Sequence, residues 1–235
     1  MALTTDIINA TSKGDKEGNA PNQDFIKVFE NDNSLIVAVS DGLGSARNSL
    51  EGAKEACKLV VSEIKKVDKI DIADSLIASI PDKWNKRIES KSGDPRDYRT
   101  TSSFVAVMKN LDKIIIGRLG DVSVSIRIDG LFRYLDSDAK VFLNETRCLG
   151  SGHLEKYKFS VFDFTHSFDF LIATDGIGDE LLEDRVEELH NYLKGKYNNT
   201  ESGKRNRVLK KEIVEFLSEK NNDDKSLVFV WANKK

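Results

Sequence analysis

"SLIVAVSDGLGSARNS" fills residues 34–49, and its character changes sharply at Asp41. Residues 34–40 are apolar at both odd and even positions, so a strand built from them has to be covered on both faces. The run then stops at an acid set beside Gly42 and Gly44. "FDFLIATDGIGDE" (168–180) repeats the arrangement, with Asp175 closing a second doubly apolar run. "SFVAVM" (103–108), "KIIIGRLG" (113–120) and "SLVFVWA" (226–232) are of the same kind. "VSVSIRI" (122–128) differs, because Val122, Val124, Ile126 and Ile128 alternate with Ser123, Ser125 and Arg127. That alternation predicts a half-exposed strand, followed by a hairpin turn at Asp129-Gly130.

Helical spacing links Leu50, Ala53, Cys57, Val60, Val61, Ile64 and Val67, and again Ala73, Leu76, Ile77, Ile80, Trp84 and Ile88. Pro81 should kink or restart the second helix. Two further helices are expected at 179–194 and 206–220, separated by a solvated loop, "KGKYNNTESGKR". Strands and helices are therefore segregated instead of alternating as βαβ units. Two mainly antiparallel sheets packed face to face, with helices outside each, would cover the doubly apolar strands. The expected fold is an α+β four-layer α-β-β-α sandwich, with 1–235 as one domain.

The chain has 235 residues and a formal net charge of −3. It has no basic excess with which to displace counterions from nucleic acid or to dock on anionic lipid. Neither of the two cysteines, Cys57 and Cys148, has a partner at metal or redox-motif spacing. Reduced thiols and a cytoplasmic protein are expected. No stretch approaches the ~20 apolar residues that spanning a membrane needs, and no secretory leader is evident.

Aspartates recur at strand ends: Asp24 before "FIKVF", Asp41, Asp121 after Gly120, Asp175, and Asp223-Asp224 before the last strand. Singly, each is an ordinary turn residue. Gathered along one sheet edge they would repel one another and call for a cation. Carboxylates without His or Cys form a hard oxygen site suited to Mg²⁺ or Mn²⁺. Other chemistries fit poorly. "GLGSAR" (42–47) has Arg47 where a dinucleotide fingerprint needs its third glycine. No P-loop is present, and the positions six after the cysteines hold Glu63 and Leu154, not the Arg of a cysteine phosphatase. His153, His166 and His190 are scattered singly and are expected on the surface or in loops.

"NQD" (22–24), "SDGLGS" (40–45), "TTSS" (100–103), "GD" (120–121), "TDGIGD" (174–179) and "DDKSLVFV" (223–230) occur in the order and spacing of the PP2C (PPM) family of metal-dependent protein phosphatases. "NETRCLGS" (144–151) resembles a compact bacterial subgroup of it. The resemblance implies a two-sheet sandwich with a centre of two Mn²⁺ or Mg²⁺ ions. It also implies hydrolysis of phosphoserine and phosphothreonine in proteins by a hydroxide that both metals hold. Asp41 and Asp175 would be the catalytic acids. Asp41 would bridge both ions, the Gly42 carbonyl would bind one, and Asp24, Asp175 and Asp223 would complete the set, with Asp121 at a third, weaker ion. Partners implied are phosphorylated protein substrates of a serine/threonine kinase, met by a monomer.

Two positions depart from the pattern. Asn19 stands where many relatives hold the substrate phosphate with Arg, which leaves Lys13 as the candidate cation. Leu43 stands where some relatives have a proton-donating His. Segment 130–160 is expected to form a substrate-facing flap. A catalytically silent module that binds a phosphoprotein or regulator is the alternative, and the retained acids weigh against it, since mutually repelling carboxylates serve no purpose in a pure binding module.

Overall fold

The computed structural model describes residues 3–16, 21–91, 93–135, 147–152 and 155–234. Asn19, His153 and residues 136–146 of the expected flap lie outside them. The described chain groups into two compact units, one formed by 1–22, 123–136 and 164–235 and the other by 23–122 and 137–163.

The second unit is built on a five-stranded antiparallel sheet in the order β2 (Asp24–Glu30), β3 (Ser34–Asp41), β4 (Ser102–Met108), β5 (Lys113–Leu119) and β8 (Lys158–Asp163). Three helices, α1 (Ser49–Ile64), α2 (Ala73–Ala78) and α3 (Ile80–Ser90), bury their apolar stripes with Ile36, Ala38, Phe104, Ala106 and Ile115 of that sheet. Pro81 restarts the helix at the first turn of α3, where a missing N–H does no harm. Trp84 is fully buried, and its indole N–H reaches the Gly52 carbonyl at 3.1 Å. The alternate residues Val37, Val39, Val105, Val107, Ile114 and Ile116 are buried as well, as their doubly apolar runs require.

The first unit carries the sheet β1 (Leu3–Ser12), β10 (Lys225–Lys234), β9 (Ser167–Ala173), β6 (Ser123–Ile128) and β7 (Leu131–Leu135). Asp129 sits in the predicted hairpin turn, where its carboxylate accepts the backbone N–H groups of Thr165, His166 and Ser167. The unit also contains a single turn, α4 (Asp175–Gly178), and the longer helices α5 (Val186–Asn198) and α6 (Arg205–Leu217). Leu193 and Tyr197 of α5 and Leu209 and Ile213 of α6 share a core with Ile8, Leu171, Phe229 and Trp231.

Four expectations need correction. The helix expected at 179–194 begins only at Val186, after a 3-10 turn at Glu183–Arg185. The loop expected at 194–205 is helical as far as Asn198, because Tyr197 is buried and its hydroxyl donates to Glu212 at 2.5 Å. Strand β6 is not half exposed: Ser123 and Ser125 are buried. The polar face of β6 is satisfied internally, with the Ser125 hydroxyl 2.7 Å from His190 Nε2 and Arg127 donating to Asp169 at 3.1 Å. His190 is accordingly a core residue and not a surface one.

Candidate metal-binding carboxylates

In the second unit, Asp24 opens β2 and Asp41 closes β3, and the two are direct cross-strand partners in the antiparallel register. Cross-strand partners project to the same face with Cβ atoms about 4.5–5.5 Å apart, where two like charges oppose each other. Asp24 is buried. The Asp41 backbone is fixed on both sides by the two threonines just before β4. Its N–H donates to Thr101 Oγ1 at 2.9 Å, and its carbonyl accepts the Thr100 hydroxyl and the Thr101 N–H, each at 2.8 Å. The "TTSS" motif thus clamps the strand end that carries the acid. Gly42 N–H donates to the Gln23 carbonyl at 3.2 Å, tying both halves of this carboxylate pair together. Asp121 follows β5 directly after Gly120. Two facing acids on rigid strand ends, with an oxygen-only donor set, suit a hard divalent cation.

In the first unit, Asp175 begins α4 and accepts the Gly176 N–H at 2.7 Å. Thr174 is locked to β10 in both directions: its N–H donates to the Ser226 carbonyl, and its hydroxyl accepts the Ser226 N–H, each at 3.0 Å. Asp223 lies in the turn before β10. Its N–H donates to Asn221 Oδ1 at 3.1 Å, and Asn221 in turn donates to the Gly176 carbonyl at 3.1 Å. Asp175 and Asp223 therefore share one hydrogen-bonded scaffold.

Lys13 is exposed. Lys16, which sequence reading passed over, lies 2.6 Å from Asp223 Oδ1 and 2.9 Å from Asp224 Oδ2. Partial burial works against its charge, but the hydrogen bonds and charges of the two aspartates outweigh it and hold the ammonium above its ordinary pKa. Among the described residues, no group of three or more His, Cys, Asp or Glu side chains is placed to hold a metal ion. The donor chemistry within each unit nevertheless fits a hard divalent ion.

A nucleophilic alternative has to be weighed, because Ser125, His190 and Asp169 form a continuous chain. Asp169 Oδ1 is 2.6 Å from His190 Nδ1, and His190 Nε2 is 2.7 Å from Ser125 Oγ. The spacing is that of a catalytic triad. All three residues are buried, and the rings of Phe132 and Phe229 stand edge-on to the imidazole, with centroids 5.2 Å away. No substrate reaches that serine. Ser125→Ala is expected to leave phosphate-ester turnover unchanged while lowering stability by about 1–3 kcal/mol, since His190 loses a buried partner. Turnover lost together with Ser125, at unchanged stability, would instead mark it as a nucleophile. The cysteines offer no alternative, because burial pushes the Cys57 thiol up to about 12 and that of Cys148 up to about 11.

Comparison with known proteins agrees with this arrangement of strands. The model of the family described as protein phosphatase 2C matches residues 13–218. No curated protein matches the chain. Among solved structures, the S. agalactiae serine/threonine phosphatase is 18% identical with a TM-score of 0.70, covering 97% of this chain and 99% of its own. The catalytic domain of the serine/threonine protein phosphatase PstP, solved with two manganese ions, is 13% identical with a TM-score of 0.66, covering 99% and 100%. RsbX in complex with magnesium is 18% identical with a TM-score of 0.61, covering 98% and 96%. These similarities give the α+β fold of two antiparallel sheets with helices, and the family match over 13–218 means that the chain belongs to the protein phosphatase 2C family.

Proposed function

We propose that this chain is a divalent-metal-dependent protein serine/threonine phosphatase, acting as a single domain over 1–235 and opposing a serine/threonine kinase as a cytoplasmic monomer. The observation that carries the reading is the Asp24–Asp41 pair, two acids set face to face on adjacent strands of a chain from a phosphatase family. Asp24, Asp41, the Gly42 carbonyl, Asp175 and Asp223 would hold two Mn²⁺ or Mg²⁺ ions, with Asp121 at a third. Bound there, the ions would supply Lewis acidity that activates water and neutralises phosphoryl oxygens.

The protein's own contribution is placement. Thr100 and Thr101 hold the Asp41 backbone, and Thr174, Ser226 and Asn221 hold Asp175 and Asp223, so the carboxylates need no reorganisation when charge develops on phosphorus. With no exposed Ser, Cys or His in a nucleophilic arrangement among the described residues, direct attack by water without a covalent intermediate is the consistent route. The substrate phosphate would be met by Lys13, the exposed cation of the 13–16 segment.

Calorimetric titration with Mn²⁺ is expected to find at least two sites, and hydrolysis of an aryl phosphate is expected to require the added ion. Hydrolysis that persists in EDTA would overturn the mechanism. Binding of a phosphopeptide by the metal-loaded protein without cleavage would replace the enzyme with a silent binding module.

A further inference from the structure

Beyond the end of β1, the chain runs directly against the turn that carries Asp223. Strand β1 pairs with β10 as far as Ser12↔Lys225, and residues 13–16 continue along the 221–224 turn. A Cβ on Gly14 would come within 2.2 Å of the Asn222 carbonyl oxygen and 2.3 Å of that of Asp223, so the two backbones touch and only glycine fits. Gly14 N–H donates to Asp224 Oδ1 at 2.9 Å. This contact delivers Lys16 to a pair of carboxylates with different surroundings. The Asp224 side chain is 1% exposed and needs a permanent counter-ion, whereas that of Asp223 is 40% exposed and open to exchange. Asp223 Oδ1, which Lys16 contacts, also accepts the Asp224 N–H at 2.8 Å.

We propose that Lys16 is a built-in competitor for Asp223: its ammonium occupies the carboxylate that a divalent ion would need, and so sets the metal affinity of that position. The inference rests on the assignment of Asp223 as a metal ligand. An ammonium and a divalent cation on one carboxylate repel each other, and partial burial leaves that repulsion poorly screened. Asp224 retains Lys16 when the metal arrives, so the lysine shifts between sharing two acids and serving one. Its position makes affinity at Asp223 weaker than an unopposed carboxylate would give. The device is invisible to motif matching, since Lys16 and Asp224 are 208 positions apart in the chain.

Calorimetric titration of the full chain with Mn²⁺ tests this without reference to activity. Lys16→Met should tighten one site at least tenfold and leave the other within about twofold, because one nearby unit charge is removed. Lys16→Arg, which keeps the charge, should leave both sites near the parent values. If Lys16→Met unfolds because Asp224 loses its counter-ion, the double variant Lys16→Met/Asp224→Asn removes both partners, frees Asp223 of the ammonium and should still tighten that site, by less than Lys16→Met because a nearby carboxylate charge is lost with it. Affinity unchanged or weakened in a folded variant would overturn the competition while leaving the phosphatase reading intact. A parent chain without any Mn²⁺ site would remove both.

Discussion

Asp41→Asn is expected to lower metal-dependent aryl-phosphate hydrolysis by roughly a thousandfold, about 4 kcal/mol of transition-state stabilisation. Asn has nearly the same shape as Asp, and the contacts that fix this strand end are made by the backbone: Thr101 Oγ1 accepts the residue's N–H, and Thr100 and Thr101 donate to its carbonyl. The fold therefore has no reason to change, and the loss reports charge alone. A second measurement separates this from general damage. Asp24 faces Asp41 across the strand pair, and Asn removes one of two opposed negative charges. The metal-free variant should consequently melt no lower than the parent. Full turnover in Asp41→Asn, or a large fall in melting temperature accompanying the loss, would remove Asp41 from the proposed centre.

Much of the fold was legible because burial on both faces leaves a direct mark on composition. The runs at 34–40, 103–108, 113–119, 168–174 and 226–232 became β3, β4, β5, β9 and β10 with little change of boundary. Strands β1 and β8 left no such mark. Each lies at a sheet edge; β1 buries only Ile8 and Ala10, and β8 buries none of its residues, so neither shows an apolar run. Strand β6 misled for a different reason. Alternation ordinarily means solvent on the polar side, but here α5 supplies His190 to satisfy Ser125 and Asp169, and a partner 65 positions away has no local signature. Residues 194–198 failed similarly: Gly195 and Asn198 suggest a loop, yet burial of Tyr197 outweighs their weak helix preference.

The acids divided along the same line. Their positions at strand ends could be read because Asp is unusual there, whereas their supports are long-range. That Thr101 holds Asp41 and that Asn221 links Asp223 to Gly176 depends on contacts across 60 and 45 positions. Sequence identified the residue types a metal would need, and the fold alone revealed which neighbours hold them still. Lys16 lies at the far end of that scale: it has no motif of its own and gains a role only through the turn that β1 runs into.

That dependence on support gives the second large effect, at a residue with no side chain. Gly176→Ala places a Cβ 2.0 Å from the Asp224 carbonyl oxygen and 3.3 Å from Asp223 Cβ. The first contact is with backbone, which has no flexible end to swing aside, so the 221–224 turn has to move. Asn221 must follow, because it donates to the Gly176 carbonyl and accepts the Asp223 N–H. No carboxylate is removed, yet Asp223 is re-aimed. Misorienting the groups behind a ligand commonly weakens a metal site by about 10–100-fold, and overpacking adds a stability loss of about 1–3 kcal/mol. In a Mn²⁺ titration, Gly176→Ala should therefore lose the site that depends on Asp223 before the one supported by Asp24 and Asp41, whose backbone contacts are made by the β2–β3 pairing and by Thr100 and Thr101 just before β4. Substitution by Ala at Gly195, which has open space around its Cβ position, supplies the control and should change neither site. Equal titrations for Gly176→Ala and the parent would show that the turn does not position a ligand, and Asp223 would have to leave the set.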